Sequence, residues 1–223
     1  MNTNTGKPSL WFEIRRTLQL AAPVMIGLVA GFGMNFVDTV MAGRLPEKEV
    51  ALAALATGGA LWSAGLMVVI GLLMAVQPSV AQLDGAGRQR DAAAVARQGL
   101  WLALGLAVPF FLLVYHGAAI LHALDVDPAI IPVADGYLRA LAFGAPFMCA
   151  VMLQRFFSEG TGHTRPTMYI GIAGVLLNIP LNWVLMYGHL GFPALGATGC
   201  GYATSLVILL QALGFFLYLQ RHR

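Results

Sequence analysis

The sequence predicts an all-α, polytopic membrane protein built as a bundle of six transmembrane helices. Three observations carry that prediction. The 223 residues are 58% hydrophobic and only 10% charged, with a mean hydropathy of +0.75, whereas a soluble domain carries about 25% charged residues. Six stretches are long and apolar enough to cross a bilayer, which takes about 20 residues of helix. The connections between them are short and rich in glycine, proline and charge, as at 43–49, 84–91 and 158–166. The 26 glycines suit helices that pack closely in lipid, where small residues let backbones approach.

Residues 1–16 read as a cytoplasmic amphipathic lead-in, with Trp11 and Phe12 as interface anchors and Arg15 and Arg16 as surface charge. A transmembrane lobe follows over 17–220, and 221–223 form a cytoplasmic tail. The spans are expected at about 17–41, 51–82, 97–115, 130–156, 166–187 and 196–219. The second is longer than a bilayer needs, so it tilts or projects past one surface. The fourth carries Asp135 and Arg139 at i, i+4 near its start, and Arg155 and Glu159 at the same spacing near its end. Both pairs are expected to be ion pairs. Pro78, Pro109 and Pro146 lie in or beside spans with nothing to single them out.

Orientation follows the excess of Lys and Arg on the cytoplasmic side. Lys7, Arg15, Arg16, Arg88, Arg90, Arg97, Arg155, Arg165, Arg221 and Arg223 fall on one side, and only Arg44 and Lys48 on the other. Both termini are therefore expected in the cytoplasm, as an even number of spans requires.

With that orientation Asp38 lies in the outer half of the first span. An acid among apolar residues at membrane depth is costly and faces protein or water. The fifth span brings Asn178 and Asn182, at i, i+4 on one face, to the same depth. The sixth brings Thr198, Cys200, Tyr202 and Thr204. Asp38, Asn178 and Asn182 are thus candidates for a coupling-ion site, since a carboxylate with amide oxygens holds a proton or a hard cation such as Na⁺. The bland alternative is that the asparagines merely join helices. Thr198, Tyr202, Thr204 and Gln77 are candidates to line a cavity. Pro23 cannot donate to the carbonyl of Gln19, and Pro180 sits between the asparagines; both are candidate hinges.

Other functions find no support. The basic residues are scattered between apolar spans, which argues against a nucleic-acid partner. The five histidines share no ligand spacing, so no metal is expected beyond a Na⁺ at Asp38, and no cofactor beyond the coupling ion. Cys149 and Cys200 lie inside apolar segments, where a disulfide is not expected. Gly27 and Gly31 match GxxxG, a weak signal in so glycine-rich a chain. There is no Walker loop, no HExxH and no GxSxG, so the chain is not read as an enzyme.

Several stretches in order carry a family resemblance over about residues 10–220. They are Ala22-Pro23 with Val37 to Gly43, Gln77 to Gln82 with Gly85 to Gly87, and Glu159-Gly160 with Thr164 to Pro166. Asn178 to Asn182 and Leu195 to Thr204 complete the set. On these the chain resembles the multidrug and toxic compound extrusion (MATE) family, in its bacterial NorM-like branch. The resemblance implies an antiporter of the cell inner membrane that exports organic cations and drugs in exchange for Na⁺ or H⁺. It implies that the acid matched by Asp38 binds the coupling ion with polar groups of the fifth helix, and that the proline matched by Pro23 accompanies bending of the first. It also implies a fold of two six-helix lobes, so that this chain is equivalent to one lobe of a twelve-helix transporter. The missing partner is a second lobe or a second copy of the chain. Where some relatives have an acid on the fifth helix, this chain has Asn182. The competing readings are a lipid-linked precursor flippase, an intramembrane enzyme and a non-transporting membrane subunit; a flippase calls for basic cavity residues, whereas the buried charge here is acidic.

Overall fold

The computed structural model describes residues 10–221, so 1–9 of the lead-in and 222–223 of the tail lie outside the described residues. Nine helices and no strand occur among them: α1 Leu10–Ala42, α2 Lys48–Leu73, α3 Val76–Gly85, α4 Gln89–Tyr115, α5 Gly117–Ala123, α6 Ile131–Ala142, α7 Ala145–Gly160, α8 Arg165–Tyr187 and α9 Gly196–Arg221. Five apolar stretches are long enough to cross a membrane: α1 from Thr17, α2 with α3, α4, α8 and α9. The bent pair α6 and α7 makes a sixth.

The helix boundaries add detail to the expected spans in four places. The first helix begins at Leu10, inside the stretch read as a lead-in. The second span is not one unbroken helix: α2 gives way to α3 at Met74 and Ala75, both with helical dihedrals. Pro78 lacks the N–H that would bond Met74 O, and Gln77 N–H takes that carbonyl instead at 3.2 Å. The fourth span, expected over 130–156, is two helices set at 49°. The short helix α5 occupies what was read as a loop. Both expected ion pairs are present, Arg139 Nε–Asp135 Oδ1 at 2.9 Å and Arg155 Nε–Glu159 Oε1 at 2.7 Å. Arg155 and Glu159 both stand within α7.

Small residues set the helix contacts. A Cβ on Gly27 would lie 2.9 Å from Thr167 Cγ2, and one on Gly171 would lie 3.4 Å from Gly27 Cα. Gly33 faces Val175 further along. Helices α1 and α8 therefore run side by side in the same direction. Helix α9 runs back along α8, with Gly199 against Leu185 and Gly214 against Ile170. It runs with α6, Gly136 meeting Thr198 and Gly201 meeting Tyr137. Close backbone approach of this kind supplies van der Waals contact where lipid offers no hydrophobic drive between helices. Gly188 ends α8 in the left-handed region (φ 75°), its N–H returning to Val184 O. Helix α1 is the least enclosed: 6% of its apolar stretch is buried. Met25, Val29, Phe32 and Phe36 stand exposed on the side of α1 away from Asp38.

Candidate functional site

The parallel register of α1 and α8 decides what Asp38 meets. From the Gly27–Gly171 crossing, both helices advance eleven residues and bring Asp38 level with Asn182. Asn182 Nδ2 donates to Asp38 Oδ1 at 2.6 Å and to Asn178 Oδ1, one turn earlier, at 3.0 Å. From α9, Thr204 Oγ1 donates to Asp38 Oδ2 at 3.3 Å. The four side chains are buried: Asp38 is 7% exposed, Thr204 9%, and both asparagines 0%. A turn beyond, Tyr187 OH donates to Met41 O at 2.8 Å and ties the ends of α1 and α8 together.

No ion pair neutralises Asp38 among the described residues. Two buried polar atoms in the cluster, Asn182 Oδ1 and Asn178 Nδ2, have no hydrogen-bond partner among the described residues. A buried acceptor left open beside a carboxylate calls for an explanation. Asn182 Oδ1, Asn178 Oδ1, Thr204 Oγ1 and the two carboxylate oxygens make an all-oxygen donor set, which fits a hard cation. The carboxylate also fits a proton. The residues present therefore suit either a proton or Na⁺.

Of the residues singled out from the sequence, Asp38, Asn178 and Asn182 come together. Thr204, read as cavity lining, is a direct hydrogen-bond partner of Asp38. The other lining candidates stand elsewhere: Thr198 packs on Gly136 of α6, Tyr202 is 44% exposed, and Gln77 lies on α3 against Gly160 of α7. Pro23 and Pro180 sit inside helices that continue through them. Tyr187 was not singled out, because a tyrosine at the end of an apolar helix reads as an interface anchor. A groove of about 470 Å³ opens well away from Asp38, where Gln19 of α1, Asp84 of α3 and Thr161 after α7 meet.

Comparison with known proteins places this geometry in context. Residues 23–184 match the MatE family. Over 206 residues the chain is 42% identical to the multidrug resistance protein NorM of Aliivibrio fischeri, covering 92% of this chain and 44% of that protein. Among solved structures, a multidrug resistance MATE family transporter of the MOP superfamily, in its outward-facing conformation, superposes with a TM-score of 0.80 at 25% identity. That match covers 92% of this chain and 45% of the other. A eukaryotic MATE transporter shares the fold with a TM-score of 0.85 at 18% identity, covering 94% of this chain and 46% of its own. The chain spans less than half the length of these relatives.

Proposed function

The chain belongs to the MatE family, and from that premise we propose that it forms one lobe of a cation-coupled antiporter that exports organic cations or drugs in exchange for Na⁺ or H⁺. Its relatives are transporters and not enzymes, and the chain itself is a multi-pass membrane protein. The observation that carries the reading is the buried Asp38, held between Asn182 of α8 and Thr204 of α9 with an orphaned amide oxygen beside it.

An ion drives a conformational change only through its different affinity for two states. Asp38 is well placed for that role. It sits on the least enclosed helix and bridges it to two others, so ion binding changes what holds α1. A proton on the carboxylate weakens the bonds donated by Asn182 and Thr204, whereas Na⁺ turns their oxygens toward itself, so either ion changes what holds α1 to α8 and α9. Pro23, four residues before the Gly27 crossing, leaves Gln19 O without its helical donor and gives α1 a point at which to bend. The exposed stripe Met25, Val29, Phe32 and Phe36 fits a covering second lobe, either a separate six-helix half or a second copy, with lipid on the remaining faces. The charge distribution supports cytoplasmic termini in the cell membrane.

The test is export of a fluorescent organic cation from proteoliposomes. The vesicles hold this chain alone, or together with the second half of the Aliivibrio fischeri relative as a separate polypeptide. Export that depends on an imposed Na⁺ or H⁺ gradient supports the reading. Ion-independent leakage, or no export in either preparation, contradicts it.

A further inference from the structure

The fourth span bends where its backbone ladder is interrupted. Helix α6 ends at Ala142, α7 starts at Ala145, and their axes differ by 49°. Pro146, in the first turn of α7, has no N–H to give Ala142 O. Gly144 N–H turns to Leu141 O at 2.8 Å and so leaves Ala140 O, its regular helical acceptor, without a backbone donor. Inside a membrane span no water replaces such a bond, and an open carbonyl is costly. Ser205 of α9 supplies the missing donor. Its Oγ lies 2.8 Å from Ala140 O and 3.2 Å from Leu141 O, at 6% exposure. The fit is close, for a Cβ on Gly144 would lie 3.0 Å from Ser205 Oγ and 3.1 Å from Ile208 Cδ1.

The residue before Ser205 is Thr204, the partner of Asp38 Oδ2. Successive helical side chains point about 100° apart. One turn of α9 thus touches the ion site with one residue and the elbow of the fourth span with the next. The same stretch of α9 is seated on α6 without slack: a Cβ on Gly201 would lie 2.5 Å from Tyr137 O and 2.8 Å from Ala140 Cβ. A rotation or shift of α9 started at Asp38 therefore reaches the elbow.

We propose that Ser205 is a positioning residue that sets the bend of the fourth span and couples it, through Thr204, to the Asp38 cluster. The coupling rests on the reading of that cluster as an ion site. Straightening helices of 12 and 16 residues from 49° to collinear lengthens the span by about 4 Å at 1.5 Å per residue.

Spin labels at Ala129→Cys and His163→Cys, with Cys149 and Cys200 replaced by alanine, report that length in the whole chain in lipid nanodiscs. Pulsed electron paramagnetic resonance then compares NaCl with its absence at fixed pH, and two pH values without Na⁺. The parent is expected to give one narrow distance that shifts with one of the two ions. Ser205→Ala is expected to broaden or lengthen it by about 4 Å and to lose the shift. Ser205→Cys, which keeps a weak donor, is expected to restore both in part. Thr204→Val is expected to keep the parent's distance and lose the shift. An unchanged distance in Ser205→Ala overturns the positioning role. A separate assay of radioactive sodium binding and proton release, with Asp38→Asn as control, distinguishes the two readings. Ion binding with no distance shift in the parent overturns the coupling and leaves the ion site standing, whereas no ion binding overturns the ion site and the coupling with it.

Discussion

Asn182 Nδ2 lies 2.6 Å from Asp38 Oδ1, although the two residues are 144 positions apart in the chain. The bond joins the first span to the fifth inside the bundle, and it is the shortest link in the Asp38 cluster. Asn182 uses the same nitrogen for Asn178, so one amide organises the group while its own oxygen stays open.

Removing that amide has a graded consequence. Hydrogen bonds to charged groups contribute about 1.5–3 kcal/mol, and 1.4 kcal/mol is about tenfold in affinity. Asn182→Ala takes the open amide oxygen out of the donor set and is expected to weaken Na⁺ binding by about tenfold or more, measured as the Na⁺ concentration giving half-maximal export. Asn178→Ala removes one oxygen of the donor set but leaves the Asn182 bond to Asp38 in place, and its effect is expected to be smaller. Equal effects of the two contradict the central place of Asn182.

At the other end of α8 a different polar group holds the bundle. Glu159 accepts from Arg155 at 2.7 Å and from Thr167 at 3.1 Å, with its side chain 4% exposed and that of Arg155 16%. Truncating one member of a buried pair costs about 3–5 kcal/mol because the other charge is stranded. Glu159→Ala is expected to lower unfolding stability in mixed detergent by about 3 kcal/mol, and Glu159→Gln by less. Thr167 and Asn182 are fifteen residues apart, about 22 Å along the helix, so ion affinity at Asp38 is expected to stay at the parent's value. A stability equal to the parent's contradicts the buried lock.

Sidedness is tested by accessibility. Cysteines at the exposed positions Glu47 and Phe192 are expected to react with a membrane-impermeant reagent on intact cells, and those at Arg90 and His163 only after permeabilisation. The reverse pattern contradicts cytoplasmic termini and moves Asp38 to the inner half of the bilayer.

How far the sequence led is clearest from particular residues. Asp38 was legible because one acid in an apolar run is costly, and the asparagines because i, i+4 spacing sets them on one face. Thr204 was read only as cavity lining, since its partner depends on how α9 is rotated against α1. The elbow of the fourth span was not legible from proline alone: Pro23, Pro109 and Pro180 all lie inside continuous helices. Pro146 breaks its span together with Gly144, and with a hydroxyl from Ser205 some sixty residues later that takes the open carbonyl. That compensation is tertiary, and no local pattern announces it.

The most direct test is Asp38→Asn, which keeps the shape of the side chain and removes its charge. In proteoliposomes that hold the chain with the second half of the Aliivibrio fischeri relative, the variant is expected to fold and to bind the organic cation. It is expected to lose export under both imposed gradients, because the ion then has little difference in affinity between the two states to exploit. Export by Asp38→Asn at the parent's rate, under a Na⁺ and under a H⁺ gradient alike, would contradict the assignment of Asp38 as the coupling-ion site.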